Sequence, residues 1–210
     1  MPDNLTNLTA CGLSIFLLST AYAFGQPVQD HYPSGPIRST GLMEEGRKIG
    51  KWLYYYPTGE LNAIEHFENG KLHGEVLYHY RNGQVEGREV WKDGILNDSA
   101  FYFHENGKRY RYGVYKQGMY DGLWKYFYDN GNPDRELTYK SGMPNGAVMQ
   151  YNREGVLIQQ GFYLDGKEHG EWKFFDDQGR LTFSGWYEHG ERVGEWFQYD
   201  KKGNRKIWRY

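Results

Sequence analysis

The side chains able to do chemistry are few, and their spacing keeps them apart. His73 and His169 hold the same repeat position, each just before a glycine, and histidine is a common metal ligand. Their positions lie four repeat units apart, so at ~4.8 Å per strand no single metal reaches both. Glu75, Glu171 and Glu195 each follow a glycine at the start of an expected strand, a solvated position. The single cysteine is Cys11, in the N-terminal segment, so the rest of the chain holds neither a thiol nucleophile nor a disulfide framework. A G-x-S-x-G elbow is missing. A residue type that recurs unit after unit serves structure, because a catalytic site needs unlike groups converging at one place. The sequence therefore predicts no catalytic residues, no metal site and no cofactor. The remaining candidates are aromatic rings, which make up 18% of the chain.

Those rings are positioned by a repeat. One series of glycines falls at Gly50, Gly74, Gly122, Gly146, Gly170 and Gly194, with Asp98 in the one gap. A second runs from Gly59 through Gly83, Gly107, Gly131, Gly155 and Gly179 to Gly203, and a third from Gly70 through Gly94, Gly118, Gly142 and Gly166 to Gly190. The shared period of ~24 residues marks a repeat array, in which each unit buries its apolar side only against its neighbours. Read backwards, the register reaches Gln26, where QPVQDHYPSG aligns with GKWLYYYPTG at Gly50. Eight units are expected, starting at residues 26, 50, 74, 98, 122, 146, 170 and 194.

Each unit reads as a β-hairpin. Glu171 to Phe175 is short, aromatic and roughly alternating, and a second strand runs from Arg180 to Tyr187. The Asn-Gly pairs at Asn82-Gly83, Asn106-Gly107 and Asn130-Gly131 predict type I′ turns between the two strands, with positive φ at both central residues. A Gly-x-x-x-Gly connector leads to the next unit. A two-residue turn would set Trp172 opposite Gly185, Tyr187 opposite Gly170, Phe67 opposite Gly50 and Val148 opposite Gly161, with large rings covering the cross-strand glycines. Asp98 in a glycine slot is tolerable, since Asp visits the left-handed region.

Alternation then gives two faces. One carries the stripe Trp52, Val76, Ala100, Trp124, Val148, Trp172 and Trp196, flanked by Tyr54, Tyr78, Tyr102, Tyr126 and Phe174, and is taken as the core. The other carries Tyr55, His79, Phe103, Phe127, Tyr151, Phe175 and Tyr199. The rings Tyr55, Phe103, Phe127, Tyr151, Phe175 and Tyr199 are the candidate binding row, with burial by sheet curling as the alternative. The expected fold is all-β: an elongated single-layer antiparallel meander of about eight hairpin repeats.

Charge and the N-terminus narrow the partners. The formal net charge is −2, from 25 basic and 27 acidic residues. They are well mixed and form no basic stripe, so the signature of nucleic-acid binding is missing and a membrane-surface role is weakened. Strands this short and charged cannot build the apolar band of a porin. Residues 10–24 read ACGLSIFLLSTAYAF, an apolar stretch too short to span a bilayer, with the small residues Ala21, Ala23 and Gly25 at its end suited to a signal peptidase. Residues 1–25 are expected to be a signal peptide cleaved after Ala23 or Gly25, although MPDNLTN lacks a basic residue. Residues 26–210 would then form the array in a secreted or periplasmic protein with no transmembrane segment.

The pattern G-x-W-x-Y/F-Y/F-x-x-x-G with a Y/F-x-x-G ending resembles the MORN-type repeat in its bacterial variant, in particular the YwqK family of toxin–antitoxin antitoxins. It is clearest at Gly50–Gly59, Gly122–Gly131, Gly170–Gly179 and Gly194–Gly203, and weakest where Ala100 or Val148 fills the tryptophan slot. The resemblance implies a single-layer meander with an interaction or scaffold role and no catalytic residues. The function expected is non-enzymatic protein–protein interaction through an aromatic sheet face. The alternative is binding of an envelope polysaccharide by the same rings; the choline-binding repeat is similar in its Gly-x-Trp-Tyr-Tyr hairpins but has a shorter period.

Overall fold

The computed structural model describes residues 25–209, so the signal-peptide reading falls, except for Gly25, outside the described residues. Strands are the only regular elements there. In chain order they are β1 Gln26–His31, β2 Ile37–Glu44, β3 Arg47–Tyr55, β4 Leu61–Glu68, β5 Lys71–Leu72, β6 Gly74–His79, β7 Val85–Lys92, β8 Ile95–Leu96, β9 Asp98–Phe103, β10 Arg109–Lys116, β11 Met119–Phe127, β12 Pro133–Lys140, β13 Met143–Tyr151, β14 Leu157–Leu164, β15 Lys167–Phe175, β16 Leu181–Glu188, β17 Glu191–Tyr199 and β18 Arg205–Trp208. Successive strands pair antiparallel, with the two-residue strands β5 and β8 pairing with β4 and β7 ahead of β6 and β9, which pair with those same strands, giving one open 18-stranded meander.

The hairpin register is as expected. Trp172 pairs with Gly185, Gly170 with Tyr187, Gly50 with Phe67 and Val148 with Gly161. The turns, however, change places. Inside a unit only the glycine of the turn has positive φ, as at Gly83, Gly107 and Gly131, and its N–H donates to the carbonyl three residues back, as from Gly131 to Tyr128 at 2.9 Å. This is a type I turn closed by a left-handed glycine, which shifts the register by one residue beside it, at Phe127↔Pro133. The type I′ signature sits between units, where both residues of Asn69-Gly70, Asp93-Gly94, Asp165-Gly166 and His189-Gly190 have positive φ. In the turns at Asn82, Asn106 and Asn130 the asparagine serves through its side chain. Its Oδ1 accepts the N–H two residues on, and its Nδ2 donates to the next unit, from Asn82 to the Glu105 carbonyl and from Asn130 to that of Arg153. Asp98 takes φ 84°, the left-handed conformation expected of it.

Both rims are laced from unit to unit. On one rim the hydroxyls of Tyr32, Tyr56, Tyr80 and Tyr128 donate to the carbonyls of Tyr55, His79, Phe103 and Tyr151 in the next unit. On the other, the turn glycine donates its N–H to the preceding connector, from Gly70 to Lys48 and from Gly166 to Pro144, at 2.9 and 2.8 Å. Substituting Gly131→Val, at φ 94°, is expected to cost more than about 1 kcal/mol. Asn130→Val loses only side-chain hydrogen bonds, about 1 kcal/mol. Denaturant melts of the two single variants check this ranking.

The core is the tryptophan stripe. Trp52, Val76, Ala100, Trp124, Val148, Trp172 and Trp196 are all buried. A single layer seals them by locking each unit onto the one before. The ring over Gly185 belongs to Trp196 of the following strand, not to Trp172 as expected from the hairpin pairing. Likewise Trp52 covers Gly41, Trp124 covers Gly113 and Trp172 covers Gly161; a Cβ on any of these glycines would meet indole atoms at 2.2–2.3 Å. The sheet steps past each glycine with a bulge, as between Gln160 and Phe162. Trp52 and Trp124 also donate their Nε1–H to the carbonyls of Leu42 and Val114, the residues just after those glycines. Where the glycine slot is filled by Glu65, Glu89 or Leu137, the next unit's slot shrinks to Val76, Ala100 or Val148.

Flanking rings and cations complete the seal. Tyr120 and Tyr115 stand edge-on to Trp124, and Arg111 and Lys48 lie over Trp124 and Trp52. Beside the small residues, Glu89 is buried and accepts from Trp91 Nε1 and the Tyr102 hydroxyl. Burial raises the pKa of the Tyr54, Tyr78, Tyr102 and Tyr126 hydroxyls and pushes Tyr115 up to about 12. In the unfolded chain these phenols ionise near 10.0, so the folded state binds more protons above that pH and stability falls as pH rises past it. Alkaline unfolding should therefore begin above about pH 10, with a late-ionising group of tyrosines visible in the ultraviolet spectrum. A single phenolate transition near pH 10, with no loss of fold, would contradict this.

Candidate functional site

The face opposite the stripe is built from the alternate residues of the same strands, so the repeat that seals one face leaves the other facing outward. Tyr55, Phe103, Phe127, Tyr151, Phe175 and Tyr199 are all half-buried. Their row runs beside the hairpin turns, and four of its members are fixed by contacts around them. The carbonyls of Tyr55, Phe103 and Tyr151 hold tyrosine hydroxyls, and that of Phe127 faces His104 Nε2 at 2.9 Å. Phe127 stacks on Tyr112 at 5.9 Å and 13°, and Tyr112 stacks on Phe101 at 5.9 Å and 16°, a ladder of three near-parallel rings across β9, β10 and β11. Arg109 lies over Tyr112, 4.8 Å from its centroid. Tyr151 meets the Met149 sulfur, and the Tyr199 hydroxyl lies 3.0 Å from Ser184 Oγ.

Exposed apolar groups of this face also lie in another row, which sequence reasoning missed. Leu42, Val114, Phe162 and Trp186 are exposed by 40, 44, 41 and 57%, and Leu123 by 47%. The first four each follow a glycine covered by a tryptophan ring on the opposite face. The signal was present in the chain: a glycine, an apolar residue, and a tryptophan slot eleven residues after that glycine, as in Gly113, Val114 and Trp124. Leu123 pairs with Thr138, and Ala147 with Phe162, so these side chains run across successive strands. The ion pair of Lys125 with Glu136, at 2.9 Å, sits on the same face.

The histidines stay dispersed. His73 Nδ1 lies 3.3 Å from a Glu68 oxygen and 3.5 Å from an Asp93 oxygen, and His169 faces the His189 ring at 5.8 Å. Among the described residues no three metal-ligating side chains are grouped to hold an ion, and no helix is long and apolar enough to cross a membrane.

Fold and faces together define an open β-meander repeat module with one sealed and one outward face. Three segments, 48–71, 72–93 and 120–141, match the family model of the MORN repeat variant. No curated protein matches the sequence significantly. Among solved structures, the chain is similar to one titled "Crystal Structure of TcdB2-TccC3-Cdc42", at 11% identity and a TM-score of 0.21, over 86% of this chain and 14% of that one. A second, "Crystal Structure of TcdB2-TccC3", aligns at 12% identity and a TM-score of 0.19, over 82% of this chain and 13% of that one. Likenesses at these scores carry no weight for function.

Proposed function

We propose that the chain is a non-enzymatic repeat module that binds a protein partner through the face opposite the tryptophan stripe. The observation that supports this most is the run of exposed apolar side chains, Val114, Leu123, Phe162 and Trp186, on one face of a sheet whose other face is sealed. Val114 and Leu123 lie on adjoining strands, and Phe162 and Trp186 repeat the same exposed position further along the array, so the face offers several apolar anchor points for a partner. The half-buried row Tyr55, Phe103, Phe127, Tyr151, Phe175 and Tyr199 lies beside it as the aromatic margin of the same surface. MORN-variant segments are consistent with an interaction role, and the resemblance to YwqK-type antitoxins favours a protein as partner. A leader over residues 1–25 would place the encounter outside the cytosol, in a secreted or periplasmic setting. Polysaccharide binding is the second reading, favoured by the three stacked rings Phe101, Tyr112 and Phe127.

Capture from envelope extract and binding to a glycan array separate the two. Leu123→Ser with Phe162→Ser is expected to abolish protein capture while leaving the melting temperature nearly unchanged, because both side chains are already exposed. Glycan binding lost with Tyr112→Ala, and no protein captured by the parent chain, would favour the second reading instead. Mass spectrometry of the native protein tests the leader: a chain beginning at Phe24 or Gln26 is expected, and an intact Met1 in the cytosol would contradict it.

A further inference from the structure

At the C-terminal end of the outward face, Trp186 on β16 stands directly across from Glu171 on β15 and Val193 on β17. It is the most exposed of the large apolar residues described, at 57%. A shallow groove of about 190 Å³ runs beside it, with walls that include Glu171, Trp186, Glu195, Phe197, Tyr199 and Arg205. The carboxylates in this groove are not equivalent. Glu171 is paired with Lys173 at 2.9 Å. Among the described residues Glu195 has no ion pair or side-chain hydrogen bond, and the Trp186 ring has no stacked aromatic or overlying cation. The groove also shows how a guanidinium fits against its rings, because Arg205 lies over Phe197 at 4.4 Å.

We infer that this groove receives an arginine side chain of the protein partner, stacked on the Trp186 indole with its charge met by Glu195. The proposal rests on the protein-binding reading and specifies the chemistry of one contact within it. An indole face attracts a cation more strongly than any other aromatic side chain does, and a guanidinium adds planar stacking and directed donors. An acidic occupant would set a second negative charge beside Glu195, and a purely apolar one would cover that carboxylate without a partner. The exposed indole and the uncommitted carboxylate thus select the same ligand, and Tyr199, at the end of the half-buried row, closes the groove.

The test is calorimetric titration of the full chain with a synthetic peptide alternating arginine and glycine, against the glutamate–glycine counterpart and vesicles of choline-headgroup lipid. Saturable binding of the arginine peptide alone is expected, weakening as salt is raised. Trp186→Ala and Glu195→Gln should each weaken it about tenfold or more, equivalent to about 1.4 kcal/mol. Glu195→Gln is exposed and isosteric, so it reads the charge even if Trp186→Ala perturbs the strand. Leu123→Ser with Phe162→Ser should leave arginine-peptide binding intact while removing protein capture, so the two readings fail separately. Equal binding by the Trp186→Ala/Glu195→Gln double variant, no arginine-peptide binding, or binding of the choline vesicles in its place would overturn the inference.

Discussion

Gly161→Leu is expected to destabilise the array by about 3 kcal/mol or more, and Trp172→Val in the same chain is expected to restore at least half of that loss. Gly161 is not among the glycines with positive φ, so the cost is steric: its Cβ would stand 2.2 Å from the Trp172 ring. Overpacking a filled position typically costs about 1–3 kcal/mol, and a backbone pinned on both sides has little room to relax. The restoring change copies the chain itself, since Leu137 is followed by Val148 in the corresponding slots of the preceding units, and both are buried. Denaturant melts of the two single variants and the double variant give the coupling energy directly. Additive losses would mean that the ring and the glycine do not form one contact.

The second large effect is expected from Trp124→Ala, at about 3–5 kcal/mol. Trp124 is fully buried, donates to the Val114 carbonyl at 3.1 Å, and is bracketed by Tyr115, Tyr120 and Tyr126. Its loss opens a cavity at a junction between units. In a quasi-linear array each unit is held only by its neighbours, so the middle should melt before the ends. Hydrogen exchange resolved by strand checks this: β10 and β11 should lose protection first. The same measurement on Phe127→Ser with Tyr151→Ser should show a smaller effect, because those rings are only half-buried.

The glycine period and the tryptophan stripe were legible because both are local: a fixed spacing and a two-residue alternation. The hairpin register was legible for the same reason, as at Trp172↔Gly185. Two assignments needed information that local pattern does not carry. Asn-Gly suits a type I′ turn, but the loop from Asp129 to Gly131 has one residue more than that turn, and only the glycine becomes left-handed. The true type I′ pairs have varied first residues, such as Gln117 and His189, and did not stand out. The ring over each glycine was placed within its own hairpin, because the inter-unit bulge that swings Trp196 onto Gly185 appears only once neighbouring units are stacked. That stacking also exposes Val114, Phe162 and Trp186 on the opposite face, away from the row that simple alternation singled out.

The central claim is that one sheet face is sealed and the other open, and tryptophan oxidation tests it without a partner. Brief hydroxyl-radical exposure followed by peptide mass spectrometry should modify Trp186, at 57% exposure, well before Trp52, Trp124, Trp172 and Trp196, at 2, 0, 1 and 1%. Oxidation of Trp124 or Trp172 as fast as Trp186 in the folded protein would contradict it, because the stripe would then be an open surface and not the core.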